Sequence, residues 1–266
     1  MDARVRSLLY REPHLYDLAF PDADEREAAM CRAAWTRFGP PEPRSALDLG
    51  CGTARNLERL ARTIPECWGV DFLESNIAYA RAVRPRLVLH VGDMRTIRLR
   101  RTFDVITCFG NALSYALTDG DLAQVAATFA AHAHSGTLLM VDALNARAYL
   151  EGVGVAERVE GTLATPEFTA TSVSTHTVDH VRRRLTRIRV WRIAGRPDVE
   201  DYAEYRLLEP DELHALVTAA GFEVRALHDN REFVDSDLRG APSAAPDLGG
   251  MRGRKLFLFA SAARRG

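Results

Sequence analysis

Three acidic residues, each at the end of an apolar stretch, have a spacing that suits the binding of a nucleoside. Asp48 is followed closely by Gly50 and Gly52, and Asp71 ends the next apolar stretch. An acid about twenty residues beyond a glycine turn, at the end of the next strand, can bind ribose hydroxyls. Asp93 follows a third apolar stretch. These residues predict a crevice for a ligand that contains a ribose.

The turn at Gly50 and Gly52 predicts close contact between a ligand and the backbone. Glycine permits unusual dihedral angles and close approach, and the unpaired amides at the start of the following helix can donate hydrogen bonds to a polar or anionic group. Dinucleotide-binding turns carry a third glycine that allows close packing around a pyrophosphate. Arg55 stands at that position here. The sequence therefore disfavours NAD.

The elements that position these residues alternate between strands and helices from residue 45 to residue 142. The apolar pattern predicts strands at 46–49, 66–70, 87–91, 103–108 and 137–141, with helices near 55–63, 74–82 and 119–133. Strongly apolar strands in such alternation predict a parallel sheet covered on both faces, and ligands of these sheets bind at the carboxyl ends of the strands. The residues expected at that edge are Asp48, Asp71, Asp93, Cys108 and Asp142.

The pattern changes in the second half of the chain. Residues 155–206 alternate threonine, valine and arginine, which predicts antiparallel strands with one polar face. A helix is predicted from Pro210 to Gly221, because proline suits the first turn of a helix and glycine its end. Two further strands are predicted at 222–227 and 256–260. We interpret the middle segment as a sheet inserted into an α/β core.

This order of motifs resembles the class I S-adenosylmethionine-dependent methyltransferase family. The resemblance implies an α/β fold with a seven-stranded, mostly parallel, Rossmann-like sheet whose last strand is antiparallel, plus an inserted antiparallel β-sheet. It further implies an N-terminal helical lid (1–44), a core that binds S-adenosyl-L-methionine (45–150 and 207–266) and an inserted substrate or cap region (151–206). S-adenosyl-L-methionine is the cofactor that the resemblance implies.

The resemblance assigns roles in cofactor binding to ten residues. In the family, residues like Asp48, Gly50 and Gly52 line the methionine end, and the acid of the next strand, here Asp71, holds the ribose. Asp93 would face the adenine amine, with Phe72 and Met94 beside the ring and Cys108 at the end of the fourth strand. Tyr10 and Tyr16 resemble the N-terminal tyrosines of small-molecule methyltransferases, where this segment folds over the cofactor. Packing of both rings against the core is the open alternative.

The segment after the fourth strand supplies candidates for the acceptor side. It resembles the Gly-Asn-Ser stretch of glycine N-methyltransferase-like enzymes, so Asn111 inherits a substrate contact, and Tyr115 is a second candidate. Those enzymes bind an amino-acid carboxylate with an arginine where Leu144 stands here, which disfavours a glycine-like substrate. His176 and His180 in the insert could supply a base, or could lie on a solvent-facing strand.

The expected activity is N- or O-methylation of a small molecule in specialised metabolism, similar to the amino-sugar dimethylating type with its inserted sheet. Three alternatives stay open: a C-methyltransferase on the same fold, an RNA-modifying enzyme that uses the arginine-rich insert, and a catalytically silent cofactor-binding protein. The arginine run at 182–192 could bind a phosphate-bearing or acidic substrate, although a solvated sheet face is the favoured interpretation of this run.

Composition restricts the partners. The chain has 266 residues and a net charge of −1, which gives no electrostatic case for nucleic acid or a membrane surface. The four cysteines lie singly, without the paired spacing of a zinc site, so we expect reduced thiols and no metal. With no apolar leader or span in the sequence, we expect a cytoplasmic protein. The expected partner is the small-molecule acceptor, and a homodimer is left open.

Overall fold

Two β-sheets carry the fold of the computed structural model, which describes residues 5–19, 25–151, 156–165, 167–229 and 248–263. The strands are β1 (Val5–Arg6), β2 (Ser45–Leu49), β3 (Glu66–Asp71), β4 (Val88–Val91), β5 (Phe103–Cys108), β6 (Ala133–Leu144), β7 (Arg158–Ala164), β8 (Thr169–Asp179), β9 (Arg184–Ile193), β10 (Val199–Arg206), β11 (Phe222–His228) and β12 (Lys255–Ala262). The helices are α1 (Leu8–Arg11), α2 (Pro13–Ala19), α3 (Glu25–Phe38), α4 (Arg55–Leu60), α5 (Glu74–Val83), α6 (Asp119–Ala131), α7 (Ala146–Leu150) and α8 (Pro210–Ala219).

The first sheet has seven strands in the order β11-β12-β6-β5-β2-β3-β4. Strands β2 to β6 pair in parallel, and β12 lies antiparallel to both β6 and β11. The predicted fold, a mostly parallel sheet with its last strand antiparallel, is therefore confirmed. The chain runs outward from β2 to β4 and returns to β5 on the other side of β2. Ligands of open α/β sheets bind at this reversal of strand order.

Helices cover both faces of the first sheet, as the apolar strands predicted. One buried cluster joins the sheet to α3, α4 and α5 through residues such as Trp35, Leu57 and Ile77. A second cluster on the opposite face joins it to α6 and α8 through Phe129 and Leu213. Burial of both faces holds the carboxyl ends of the strands in fixed positions. Within the described residues, no helix is both long and apolar enough to cross a membrane.

The second sheet is fully antiparallel, in the order β1-β10-β9-β8-β7. It confirms the predicted inserted sheet, with one addition. The two-residue strand β1 from the N-terminus pairs with β10, so that Val5 lies opposite Ala203. A strand of two residues leaves no periodic signal, which is why the sequence did not reveal it. The division into lid, core and insert at 44/45, 150/151 and 206/207 stays a prediction.

Two carboxylates fasten the N-terminal segment to both sheets. Asp201, fully buried on β10, accepts hydrogen bonds from the Leu8 N–H (2.5 Å) and the Trp191 indole N–H (2.7 Å). Asp17, on α2, accepts one from the Thr53 hydroxyl (2.6 Å) beside the glycine turn and another from the Arg84 guanidinium (2.7 Å). The segment thus bridges the second sheet and the turn after β2.

We expect Asp201→Ala to destabilise the protein by about 2–3 kcal/mol, because it leaves the buried donors of Leu8 and Trp191 without an acceptor. Urea unfolding followed by circular dichroism measures the change. Asp198→Ala is the matched control, since Asp198 is exposed and pairs with Arg192 at the surface (3.4 Å); its change should stay within about 0.5 kcal/mol. Equal stability of the two variants would contradict the role given to Asp201.

Candidate active site

A cavity lies at the carboxyl ends of the central strands, where the strand order reverses. Most of the residues predicted for the site line it: Tyr10, Tyr16, Asp48, Gly50, Gly52, Asp71, Phe72, Asp93, Met94 and Tyr115. Side chains from five separate stretches of the chain therefore meet around one space. Both tyrosines of the N-terminal segment belong to its wall.

The turn after β2 shows why its glycines are needed. Gly50 has φ +78°, and a Cβ there would lie 2.5 Å from the Ala112 Cβ, so the two loops meet at a distance that only glycine allows. Gly52 has φ +56°, and a Cβ there would meet no atom within 4 Å, which leaves its backbone open to a ligand. Ala54 also has a left-handed backbone (φ 62°), just before α4.

Asp71 fixes the relation between the turn and the end of β3. Its carboxylate accepts hydrogen bonds from the Gly52 N–H (2.9 Å), the Leu73 N–H (2.9 Å) and the Asn76 amide (3.1 Å). Burial raises the pKa of Asp71, and these three donors act in the opposite direction. Asn76, on the first turn of α5, is a site residue that the sequence reasoning missed. A polar residue five positions after the strand-end acid was the available signal.

Asp48 is the other buried carboxyl group of the cavity. It lies near the end of β2 with 6% of its surface exposed, and it accepts a hydrogen bond from the Thr107 hydroxyl (2.8 Å) on β5. Burial raises the pKa of Asp48 to about 7, assisted by the negative charges of Glu27, Asp71 and Asp142 and opposed by the Thr107 hydrogen bond. A bound cation would stabilise the ionised form of this group.

The end of the cavity away from Asp48 combines an exposed aromatic ring with an ion pair. The Phe72 ring is 48% exposed, and Met94 packs against the core beside it. Asp93 holds Arg95 in a close ion pair (2.6 Å), and Arg95 also reaches Asp121 (2.6 Å). The resemblance placed Asp93 opposite the adenine amine. The sequence did not reveal that Arg95 also pairs with Asp121, because Asp121 lies far along the chain on α6.

Three tyrosine hydroxyls meet on the side of the cavity that faces the second sheet. Tyr10 hydrogen-bonds to Tyr115, and the Tyr115 hydroxyl donates to that of Tyr205 (3.3 Å). Burial is the main cause that raises the pKa of both Tyr10 and Tyr115, so both stay protonated and neutral near pH 7. The Tyr16 ring lies 6.0 Å from the Tyr10 ring, centroid to centroid, and under the Arg55 guanidinium, whose carbon is 4.9 Å from the Tyr16 centroid.

Asn111 lies in a backbone that the buried Asp142 holds in place. Its φ is +65°, and its N–H donates to the Asp142 carboxylate (2.7 Å), which also accepts from the Gly110 N–H (3.2 Å) and from Lys255 Nζ (2.8 Å). Within the described part of the chain, the buried amide oxygen of Asn111 accepts no hydrogen bond. Asn111 itself does not line the cavity, although Gly110 and Ala112 on either side of it do.

Besides Asn111, three residues predicted for the site do not line the cavity. Cys108 is fully buried in the core beside β6 and does not line the cavity, because its side chain points into the sheet packing rather than beyond the strand end. His180 is exposed in the turn between β8 and β9. His176 lies on β8 with its ring near the Ala156 carbonyl oxygen (3.2 Å), also outside the cavity.

The groups that line the cavity fit S-adenosylmethionine. A buried carboxyl group at one end (Asp48) suits an ammonium, an acid beside a glycine turn (Asp71) suits a ribose, and an exposed ring at the other end (Phe72) suits stacking with a base. Gly52 leaves the space that a Cβ would fill. The fold and this site define a Rossmann-like methyltransferase.

Comparison with known proteins identifies the family. Residues 46–136 match the model of a methyltransferase domain. The chain is 30% identical over 251 residues, 91% of each protein, to the dTDP-3-amino-3,6-dideoxy-alpha-D-glucopyranose N,N-dimethyltransferase of Streptomyces fradiae. It is 31% identical over 138 residues to the dTDP-3-amino-3,4,6-trideoxy-alpha-D-glucopyranose N,N-dimethyltransferase of Streptomyces venezuelae, a match that spans 50% of this chain and 58% of that relative.

A solved structure shares the fold. It is SAM-bound CalS10, an amino pentose methyltransferase from Micromonospora echinaspora, with a TM-score of 0.67 and 24% identity over 89% of this chain and 90% of that one. The chain belongs to the S-adenosylmethionine-dependent methyltransferase family. It is an enzyme of that family, and S-adenosylmethionine is its cofactor.

We expect Asp71→Ala to weaken the binding of S-adenosylhomocysteine by at least about tenfold, since hydrogen bonds to a charged group contribute roughly 1.5–3 kcal/mol each. Titration calorimetry measures the affinity. Asp179→Ala, in the exposed turn between β8 and β9, is the control and should bind like the parent. Unchanged affinity in a folded Asp71→Ala variant would remove Asp71 from the cofactor site.

A second expectation concerns pH. With a pKa of about 7, Asp48 is mostly protonated near pH 6 and mostly ionised near pH 8, and only the ionised form attracts the ligand ammonium. The affinity for S-adenosylhomocysteine should therefore fall about tenfold from pH 8 to pH 6. Calorimetry across this range tests it. Asp48→Asn should bind more weakly at pH 8 and lose this pH dependence; a parent profile that is flat would contradict the assignment.

Proposed function

We propose that the enzyme methylates the amino group of a sugar that is carried on a nucleoside diphosphate. The observation that carries this proposal is the match to the Streptomyces fradiae relative, whose name specifies such a substrate and whose sequence aligns with 91% of this chain. S-adenosylmethionine supplies the methyl group as an electrophile. The chain's own residues have to hold the acceptor nitrogen in line with that group.

The acceptor side of the cavity supports nitrogen as the nucleophile. The tyrosine hydroxyls of Tyr10 and Tyr115 stay protonated, so they can donate or accept hydrogen bonds but do not serve as a base at neutral pH. His176 and His180 do not line the cavity. An amine that is neutral when it attacks needs orientation only, whereas a hydroxyl acceptor needs a base. This set of groups favours N-methylation.

Asn111 is proposed to orient the acceptor. Its buried amide oxygen accepts no hydrogen bond from the described residues, and it follows a loop residue, Gly110, that lines the cavity. The backbone that carries Asn111 is fixed by Asp142, so the amide is positioned before the acceptor binds. A homodimer and a cytoplasmic location stay predictions.

The test compares a dTDP-linked 3-amino-3,6-dideoxy sugar with the same sugar bearing a hydroxyl in place of the amine. We expect methyl transfer to the amine only, detected by mass spectrometry. Asn111→Gly, which tolerates the positive φ and removes only the amide, should lower the single-turnover rate at least about tenfold. The double variant His176→Ala/His180→Ala should keep the parent rate. Methylation of the hydroxyl sugar alone would overturn the proposal.

A further inference from the structure

The inward face of the second sheet carries positive charge next to the cavity. Residues of β9 alternate between its two faces, and Leu185, Arg187, Arg189 and Trp191 share the inward one with Tyr205 of β10. The sequence left open whether the arginine run at 182–192 is a solvated face. The structure divides the run, because Arg192 lies on the outward face whereas Arg187 and Arg189 point inward.

The other arginines of this run have acidic partners. Arg184 pairs with Glu204 (2.7 Å), Arg183 with Glu212 (3.0 Å), Arg192 with Asp198 (3.4 Å) and Arg182 with Asp179 (3.2 Å). Within the described ranges, neither Arg187 nor Arg189 forms an ion pair. The Nε of Arg187 is buried and has no hydrogen-bond partner in the described part of the chain. The Nε of Arg189 donates to the Ser174 hydroxyl (2.8 Å), which brings no charge.

The Asp201 carboxylate faces these arginines, but it already accepts hydrogen bonds from other groups. Asp201 lies opposite Arg189 in the register of β10 and β9 and contributes some attraction, but its oxygens accept from the Leu8 N–H and the Trp191 indole. Burial, together with the repulsion of Arg187, lowers the pKa of Arg189. Two partly buried cations side by side are costly unless an anion compensates them.

These cations lie directly beyond the tyrosines of the acceptor side. The Arg187 guanidinium is 5.8 Å from the centroid of the Tyr205 ring, and the Tyr205 hydroxyl accepts from Tyr115, which lines the cavity. Tyr10, also in the cavity wall, is close enough to act electrostatically on both arginines. A ligand that extends from the cavity past the tyrosines therefore meets Arg187 and Arg189 next.

We propose that Arg187 and Arg189 form the binding site for the diphosphate of the acceptor, and this inference rests on the proposed function for the identity of the acceptor. Guanidinium groups match phosphate oxygens with paired N–H donors, and the Nε of Arg187 supplies one donor that has no partner among the residues that the structure describes. With the anion anchored on β9, the sugar lies between it and the tyrosines, and its amine is directed to the cavity. The second sheet thus selects acceptors by charge.

Calorimetry with inorganic pyrophosphate and with thymidine diphosphate tests the site directly. Both should bind the parent protein, and Arg187→Gln and Arg189→Gln should each weaken binding at least about tenfold. Arg192→Gln is the matched control, on the same strand and the opposite face, and should bind like the parent. Arg187→Lys should recover only part of the affinity, because it restores the charge without the paired donors. The affinity for S-adenosylhomocysteine reports correct folding and should be unchanged in all four variants.

Parent protein that binds neither probe at millimolar concentration, or equal binding by Arg187→Gln, Arg189→Gln and Arg192→Gln, would overturn the inference. Kinetics then separate it from the proposed function. If the dTDP-linked amino sugar is methylated but its KM is unchanged in Arg187→Gln and Arg189→Gln, the diphosphate site is wrong and the function stands. If the arginines bind thymidine diphosphate but no amino sugar is methylated, the anion site stands and the proposed acceptor is wrong.

Discussion

The buried carboxylate of Asp201 is the contact on which the arrangement of this enzyme depends. It lies on the second sheet, yet it accepts a hydrogen bond from the backbone of Leu8, at the start of the N-terminal segment. Tyr10 and Tyr16 follow Leu8 within the same segment, and both line the cavity. Because a buried carboxylate requires donors, the two units cannot separate without leaving polar groups unpaired. One acid thus sets the position of the N-terminal segment whose tyrosines line the cavity.

The two sheets differ in what they contribute to the site. The parallel sheet provides the cofactor side through strand-end acids and a glycine turn, and this half of the site depends mainly on backbone geometry. In the proposed function, the antiparallel sheet provides the acceptor side through side chains of one face, which can be exchanged without disturbing the ladder of hydrogen bonds. A family built in this way can change its acceptor while it keeps its cofactor. The N-terminal segment joins the halves through Asp17 on one side and Asp201 on the other.

Local patterns predicted the parallel strands to within a few residues, because apolar runs and glycine turns are set by neighbours in the sequence. They also predicted that Asp48 and Asp71 meet at one edge, since parallel strands end together. Pairings between distant residues could not be predicted in this way, and the partnership of Arg95 with Asp121 is one example. Alternation along β9 indicated two faces but not which of them would be covered. Which face of β9 is covered depends on how the antiparallel strands pack against the rest of the chain, and a short stretch of sequence does not determine this packing.

Lys255 is an exception to the composition of the chain. Of 35 lysine and arginine residues, it is the only lysine. Its ammonium meets an Asp142 carboxylate that is fully buried and already accepts two backbone N–H groups. A compact ammonium needs little room there, whereas the planar fork of arginine would seek further acceptors. The sequence uses arginine at its other basic positions and has its lysine where a compact ammonium meets a buried carboxylate.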